Sequence, residues 1–468
     1  MDTDARQADF VRSPIQIRFM SVIRIDVVFL NRARVGLGVV ALLGLIANPG
    51  ALARELSADR VRLTPAYINS FSEELRTNHP ALKAARAQAE AARAGIEGVR
   101  TWEDPMCTVG GMFAEEPMRA DDGDFIYGIE QKLPLFGRPK LARAVAEAEW
   151  ATEQARADYE FQSRRRDLAQ ALFRAALASQ TVLVGSEDLA WLERMTQLAE
   201  QRYRTGEGTL VDMLRLQNEQ ELRADRLRTD WRQLEHEHLV LNRLLNRELT
   251  SPWPTFELPP VAGPVAYTPR LVDLALRFEP GLRVRRQAIE QAQSMARMVR
   301  RDRFPEIVLG AQGRNYTGDG DFRSAEVMLG FTLPWGNTRK YRADRERAEA
   351  LARTAEQSTA DYMLELQEEI HLLTVRIDAA RREALLYRDQ IVPRSERALE
   401  SSQAAWIANR GLFLDVMDAR RMLLEARLLQ ARAQAEQYYQ LSDLVLCCGL
   451  GDLEALEMLE AAPASPTP

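Results

Sequence analysis

Cysteine is scarce in this 468-residue sequence, and its three copies, Cys107, Cys447 and Cys448, form no CxxC pair. Adjacent cysteines rarely reach the geometry of a bridge, so neither a disulfide framework nor a thiolate metal site is indicated. Histidine occurs four times. The His236-Glu237-His238 triplet reads as solvated surface, because residues two apart on a helix face different directions. Lysine is confined to positions 83, 132, 140 and 340, an arginine bias that a GC-rich coding sequence explains more simply than any arginine-specific role. The formal charge of -6 gives no reason to expect a nucleic-acid partner. Beyond the N-terminus no run approaches the roughly 18 apolar residues of a membrane helix. Glycine-rich phosphate loops after a strand, HExxH and GxSxG are all missing, which lends no support to an enzyme or a cofactor site.

What is present begins with a leader. Asn31-Arg32-Ala33-Arg34 is a short basic region, Val35 to Ile46 an apolar core, and Asn48-Pro49-Gly50 a helix breaker ahead of Ala51-Leu52-Ala53. That order is the signature of a secretory signal peptide over 1–53, with the residues before Met20 as an upstream extension. Arg54 follows the expected cut where a lipid anchor would need cysteine.

The rest of the chain repeats itself at an offset of about 200 residues. Pro80-Ala81-Leu82 aligns with Pro280-Gly281-Leu282, Pro105 with Pro305, Gly110 with Gly310, and Leu133-Pro134 with Leu333-Pro334. Further on, the offset drifts by a few residues, and Tyr203, Gly208 and Asp212 meet Trp406, Gly411 and Asp415. Two structural repeats, 54–249 and 270–448, are therefore expected. A proline-rich extended linker over 250–269 would join them, and a flexible tail over 449–468 would come last.

Each repeat reads as helix, two strands, a very long helix, a tight turn and another helix. The helices are expected at Asn78–Trp102, Arg138–Thr205 and Thr209–Arg247, then Pro280–Arg303, Thr338–Ala408 and Leu412–Leu446. At 1.5 Å per residue the long ones reach roughly 100 Å, which two shorter helices end to end would match. Such helices need partners along their whole length, which favours an oligomer. Thr181-Val182-Leu183-Val184-Gly185 is poor helix sequence in the middle of one of them and suggests a bend or bulge there. The fold class is mainly α with a small β part.

Four strands are expected at Met106–Ala114, Phe125–Leu133, Glu306–Tyr316 and Ser324–Leu333. In the last, Val327, Leu329, Phe331 and Leu333 alternate with Glu326, Met328, Gly330 and Thr332. Strands near ten residues with one apolar and one polar face fit a membrane β-barrel, although a soluble sheet gives the same pattern. Four strands cannot close a spanning barrel, but three copies would supply twelve.

With the duplication, the strand ends Leu133-Pro134-Leu135-Phe136-Gly137 and Leu333-Pro334-Trp335-Gly336, and two turns of related sequence, the chain resembles the TolC-like outer-membrane efflux proteins. The turns are Tyr203 to Asp212 and Trp406 to Asp418. The resemblance implies a homotrimer in outer-membrane lipid, with a twelve-stranded β-barrel continuous with a periplasmic α-helical barrel. It further implies that a periplasmic adaptor (membrane fusion) protein joins this exit duct to an inner-membrane transporter, of the RND type by expectation. Asp415 and Asp418 fall where the family carries carboxylates at the periplasmic entrance, where three copies would attract cations. Tyr203, Trp406, Asp212 and Arg410 are further entrance candidates, and Gly206, Gly208, Thr209, Asn409 and Gly411 are expected at the adaptor-contacting tips. Asn409-Arg410-Gly411 departs from the Gly-Thr-Arg order common in the family, which removes the support for a latch at Arg410.

The strand ends are also similar to those of heavy-metal exporter ducts, and Met106, Met112 and Met118 beside Cys107 offer soft ligands for copper(I) or silver. Ordinary loop and strand methionines account for them more readily, and metal ions, drugs and proteins all remain open as cargo. The competing reading for the whole chain is an exported periplasmic coiled-coil scaffold or adaptor.

Overall fold

The computed structural model describes residues 60–99, 102–111, 124–316 and 320–455. The expected leader, Met112, Met118 and the end of the tail lie outside them. All the described residues belong to one compact unit, Pro49–Pro468.

The chain enters through a three-residue strand, β1 (Arg60–Arg62), and short helices α1 (Pro65–Ser70) and α2 (Ser72–Asn78), none of which the sequence pattern announces. Helix α3 (Pro80–Gly98) leads to strands β2 (Met106–Gly111) and β3 (Asp124–Leu133). Then come the 68-residue α4 (Arg138–Thr205) and α5 (Leu210–Leu245). After β4 (Thr255–Glu257) and α6 (Pro269–Phe278) the plan recurs as α7 (Pro280–Val299), β5 (Ile307–Tyr316) and β6 (Phe322–Phe331). It closes with α8 (Thr338–Leu386), a π-helical turn at Tyr387–Ile391, α9 (Val392–Ile407) and α10 (Phe413–Cys447). Helices α3 and α5 both pack along α4, and α7 and α10 along α8, as the matched lengths require.

The repeat is visible in how the helices start. Pro80 and Pro280 each occupy the first turn, where a missing N–H costs nothing. The residue before each caps the helix. His79 Nδ1 accepts from Ala81 N at 3.2 Å, and the Glu279 carboxylate accepts from Gly281 N at 2.7 Å and from Leu282 N. Burial raises the pKa of Glu279, against the pull of those amides.

The bend expected at Thr181–Gly185 is absent, since α4 runs through it as regular helix. Val182 and Val184 are buried there, so packing outweighs their modest helix propensity. Gly185 has its own reason: a Cβ would collide with the Arg223 guanidinium. Arg223 lies against the Gly185 carbonyl and pairs with the buried Asp188 (3.5 Å), which also receives Arg420 Nε at 2.6 Å. That triad joins α4 and α5 of the first repeat to α10 of the second. The interruption lies instead in the second repeat, where the π-turn precedes Pro393 and makes room for its ring. The apolar part of α4 is long enough to cross a membrane by composition alone, but 67% of it is buried against its neighbours.

The linker over 250–269 is extended, yet it is a packed belt and not a free tether. β4 pairs in parallel with β1, and Phe256 and Leu258 enter the largest core beside Leu241, Leu245 and Tyr438. Asn242 donates to the Leu249 and Ser251 carbonyls and accepts from Trp253 Nε1 at 2.7 Å. Gln437 brackets Ala262 through both its N–H and its carbonyl. The His236-Glu237-His238 reading needs correction. His236 is exposed, but Glu237 is buried on Arg174 and Gln233, and His238 is half-buried against Phe256.

One antiparallel sheet has the order β2-β3-β5-β6, so the two hairpins join through their inner strands. Its register puts Val109, Tyr127 and Gly313 in one row, Cys107, Ile129, Ala311 and Val327 in the next, and Leu133, Ile307 and Phe331 in another, all on one face. Met106, Glu130, Gly310 and Met328 share a row on the opposite face, as do Gln312 and Glu326 with Gly128.

Candidate functional site

The two helix turns expected at the entrance are built alike, at an offset of 203 residues throughout. In the first, α4 ends with Gly206 in the left-handed region (φ 79°), and the N–H groups of Glu207 and Gly208 both donate to the Arg202 carbonyl at 2.9 and 3.0 Å. Gly208 sits so close to the chain that a Cβ would lie 3.0 Å from Tyr203 N. Thr209 then caps α5 by accepting from Asp212 N at 3.2 Å. In the second, Asn409 takes the left-handed position (φ 56°), which asparagine tolerates better than other side chains do. Arg410 N donates to the Ala405 carbonyl at 2.8 Å, and a Cβ on Gly411 would meet that of Ala405 at 3.0 Å. The unusual Asn409-Arg410-Gly411 order thus preserves the turn.

The caps differ. Leu412 replaces Thr209 and offers no side-chain bond, so α10 is anchored by apolar contact: Phe413 is buried with its ring 5.3 Å from Trp406. Trp406 is itself 6% exposed, which makes it helix packing within the protomer, while Tyr203, its counterpart, is 44% exposed. Arg410, Asp415 and Asp418 are exposed, and among the described residues none of them has an ion-pair partner. Asp212 is half-buried.

The link between the turns is a residue that sequence reasoning missed. Arg202, 7% exposed, reaches from the last turn of α4 to the end of α9. Its Nη1 donates to the Trp406 and Ile407 carbonyls at 3.2 and 3.1 Å, its Nη2 to Asn409 Oδ1, and its guanidinium lies 4.7 Å from the Trp406 ring centroid. A cation at a helix C-terminus satisfies carbonyls that have no partner in the helix. The only hint in the sequence is that Arg202 stands where the second repeat has Ala405, since an arginine near a helix end otherwise reads as surface. Higher up, Asp230 faces Arg223 at 3.7 Å, and burial lifts its pKa despite that cation.

Of the soft-metal candidates only Met106 and Cys107 lie among the described residues, and these two do not converge. Met106 and Cys107 are successive strand residues and take opposite faces of the sheet, Met106 in the row of Glu130 and Cys107 in that of Ile129. Among the described residues no group of three or more His, Cys, Asp or Glu could hold a metal ion.

Two related hairpins of very long helices, closed by equivalent turns at one end and carrying paired strands at the other, define a duct-forming subunit. The Outer membrane efflux protein family model matches residues 71–247 and 271–450, once for each repeat, and the chain belongs to that family. It is an outer-membrane efflux channel, an exit duct that spans the outer membrane and extends into the periplasm, and it is not an enzyme. Channels of this family form trimers and work with adaptors and inner-membrane pumps. Among solved structures, the outer-membrane channel OprN is 20% identical with a TM-score of 0.72, over 82% of this chain and 90% of its own. CusC, described for folding and transmembrane channel formation, is 16% identical at a TM-score of 0.72, over 83% and 93%. VceC of Vibrio cholerae is 17% identical at 0.69, over 83% and 97%. At such identities the likeness is one of fold. No curated protein matches the sequence.

Proposed function

We propose that three copies of this chain close a twelve-stranded barrel in the outer membrane, above a periplasmic tunnel of long helices whose constricted end carries Asp415 and Asp418. The observation that carries the reading is the sheet itself. Among the described residues its two outer strands, β2 and β6, each leave one side unpaired, and its apolar face lies bare, with Val109 71%, Val327 79% and Leu329 65% exposed. An isolated soluble protein does not leave such edges and such a face open, whereas three sheets joined edge to edge inside lipid satisfy both. The polar face, with Glu130, Gln312 and Glu326, would then line water.

On this reading the repeats 54–249 and 270–448 supply alternate hairpins of the tunnel. The turns around Gly206, Gly208, Thr209, Asn409 and Gly411 meet a periplasmic adaptor, which connects to an inner-membrane transporter of the RND type. Tyr203, Asp212 and Arg410 stand beside the entrance.

Planar-bilayer conductance of the detergent-purified protein, with its oligomeric mass measured on the same sample, tests the proposal. A trimer with small cation-selective currents is the expected result, and Asp415→Asn with Asp418→Asn should weaken block by added divalent cations by roughly tenfold. A water-soluble, non-conducting species would sink the barrel and restore the periplasmic scaffold.

A further inference from the structure

Where the sheet meets the helices of the second repeat, a cleft of about 330 Å³ opens between the end of α7 and the start of α8. Arg300, Arg303, Arg342 and Arg345 line it together with Trp335 and Tyr341, and no carboxylate does. Arg300 and Arg345 share the neighbouring Glu349, at 2.9 and 2.8 Å. Arg303 and Arg342 have no ion-pair partner among the described residues, and Arg303 stacks on Phe304. A second cleft, between the start of α4 in the first repeat and the segment after α7 in the second, is different. Lys132, Arg138 and Arg301 line it, but Glu103 and Glu306 do too, at 3.0 Å from Lys132 and in direct contact with Arg138. The surplus is thus one cation in that cleft and four in the cleft beside Trp335.

The cleft is continuous with the apolar face. Val327, Leu329 and Phe331 on β6 lead through Leu333 to Trp335, and these last three are 55–62% exposed. An apolar wall that ends at a tryptophan and a cluster of guanidiniums is suited to a molecule with acyl chains and a phosphate.

Resting on the proposed placement of the sheet in the membrane, the geometry points to a binding site for an anionic glycerophospholipid of the periplasm-facing leaflet. Its phosphate sits between Arg303 and Arg342, and its chains lie along Trp335, Leu333 and Phe331. Free phosphate would use the same arginines but gain nothing from the apolar wall. The lipid holds the barrel at one depth and orientation above the tunnel.

Native mass spectrometry of the purified full-length trimer, exchanged into detergent with equal phosphatidylglycerol and phosphatidylcholine, reads the site. The unmodified trimer should retain phosphatidylglycerol preferentially, and Arg303→Gln with Arg342→Gln should lower its retention about tenfold or more while leaving phosphatidylcholine unchanged. Excess inorganic phosphate should not displace the lipid. Equal retention of the two lipids by the unmodified trimer overturns the proposal even if the double variant fails to assemble. Displacement by inorganic phosphate, or a double variant with unaltered preference, also overturns it. Bilayer conductance on the same sample separates the two readings. A conducting trimer without lipid preference rejects this site alone, whereas a non-inserting protein rejects the membrane placement and the site together.

Discussion

Arg202 shows how one side chain can hold a boundary between two hairpins. It is buried, charged and bonded to three oxygens at the end of a helix that belongs to the other repeat. Replacing it with alanine leaves those oxygens without their donor, at a cost of about 2–4 kcal/mol to the contact between the turns. Arg202→Ala should therefore raise bilayer conductance roughly tenfold or more with the trimer preserved, and unchanged current would show that the turns are held elsewhere. His79 offers a second test. It accepts at Nδ1 only as the neutral imidazole, and burial, followed by the nearby Arg164, lowers its pKa. On acidification the unfolded chain takes up the proton first. The stability from this residue is thus complete above the unfolded value of about 6.5 and falls as the pH drops from there towards the folded value. His79→Asn keeps an N-cap without titrating. Relative to that variant, the melting temperature of the natural protein should decline as the pH falls through and below about 6.5.

Among elements, the long helices were legible because length, helical spacing and glycine-bearing turns all agree. Arg138–Thr205 is the expected span, and most of the other long helices and the strands differ from expectation by a few residues at their ends. Less legible were β1, α1, α2 and β4, which are too short to carry a period and exist through contacts with distant segments, such as Phe256 among Tyr67, Phe71 and Trp253. The expected bulge falls in the wrong place because local propensity at Thr181–Gly185 says nothing about Arg223, which fills the space that Gly185 leaves. Asp188 between Arg223 and Arg420 is a buried ion cluster across three helices. Asp188→Asn should destabilise the helical part by about 3 kcal/mol, since Arg420 loses its carboxylate partner and Arg223 keeps only Asp230. Gly185→Ala should cost about 1–3 kcal/mol through crowding. Thermal melts followed by circular dichroism check both, and a neutral outcome for Asp188→Asn would mean that water reaches the cluster.

For the whole molecule, the informative signal was the set of landmarks recurring about 200 residues apart, and the family model matches two segments, 71–247 and 271–450. The chemistry of the entrance was only partly legible. Turn residues are recognisable by their backbone demands, but which of them face a lumen depends on neighbours that a single chain does not contain. Trp406, an expected entrance residue, is instead covered by Arg202 and Phe413. Adaptor coupling belongs to this scale. Gly411→Leu places side-chain atoms against Ala405 and should reduce site-specific crosslinking to the adaptor about tenfold while trimers persist, whereas full crosslinking would move the contact away from the turns.

The π-turn at Tyr387–Ile391 lies within the extra length of the second repeat, and so the two hairpins of one chain are not interchangeable. Three duplicated chains could in principle approximate sixfold symmetry, but this mismatch lowers it to threefold. The hairpins then fall into two sets, and a transition that respects the symmetry can move one set while the other stands still. On that argument any such motion would divide along the hairpin formed by α9 and α10, whose tie to α4 is Arg202.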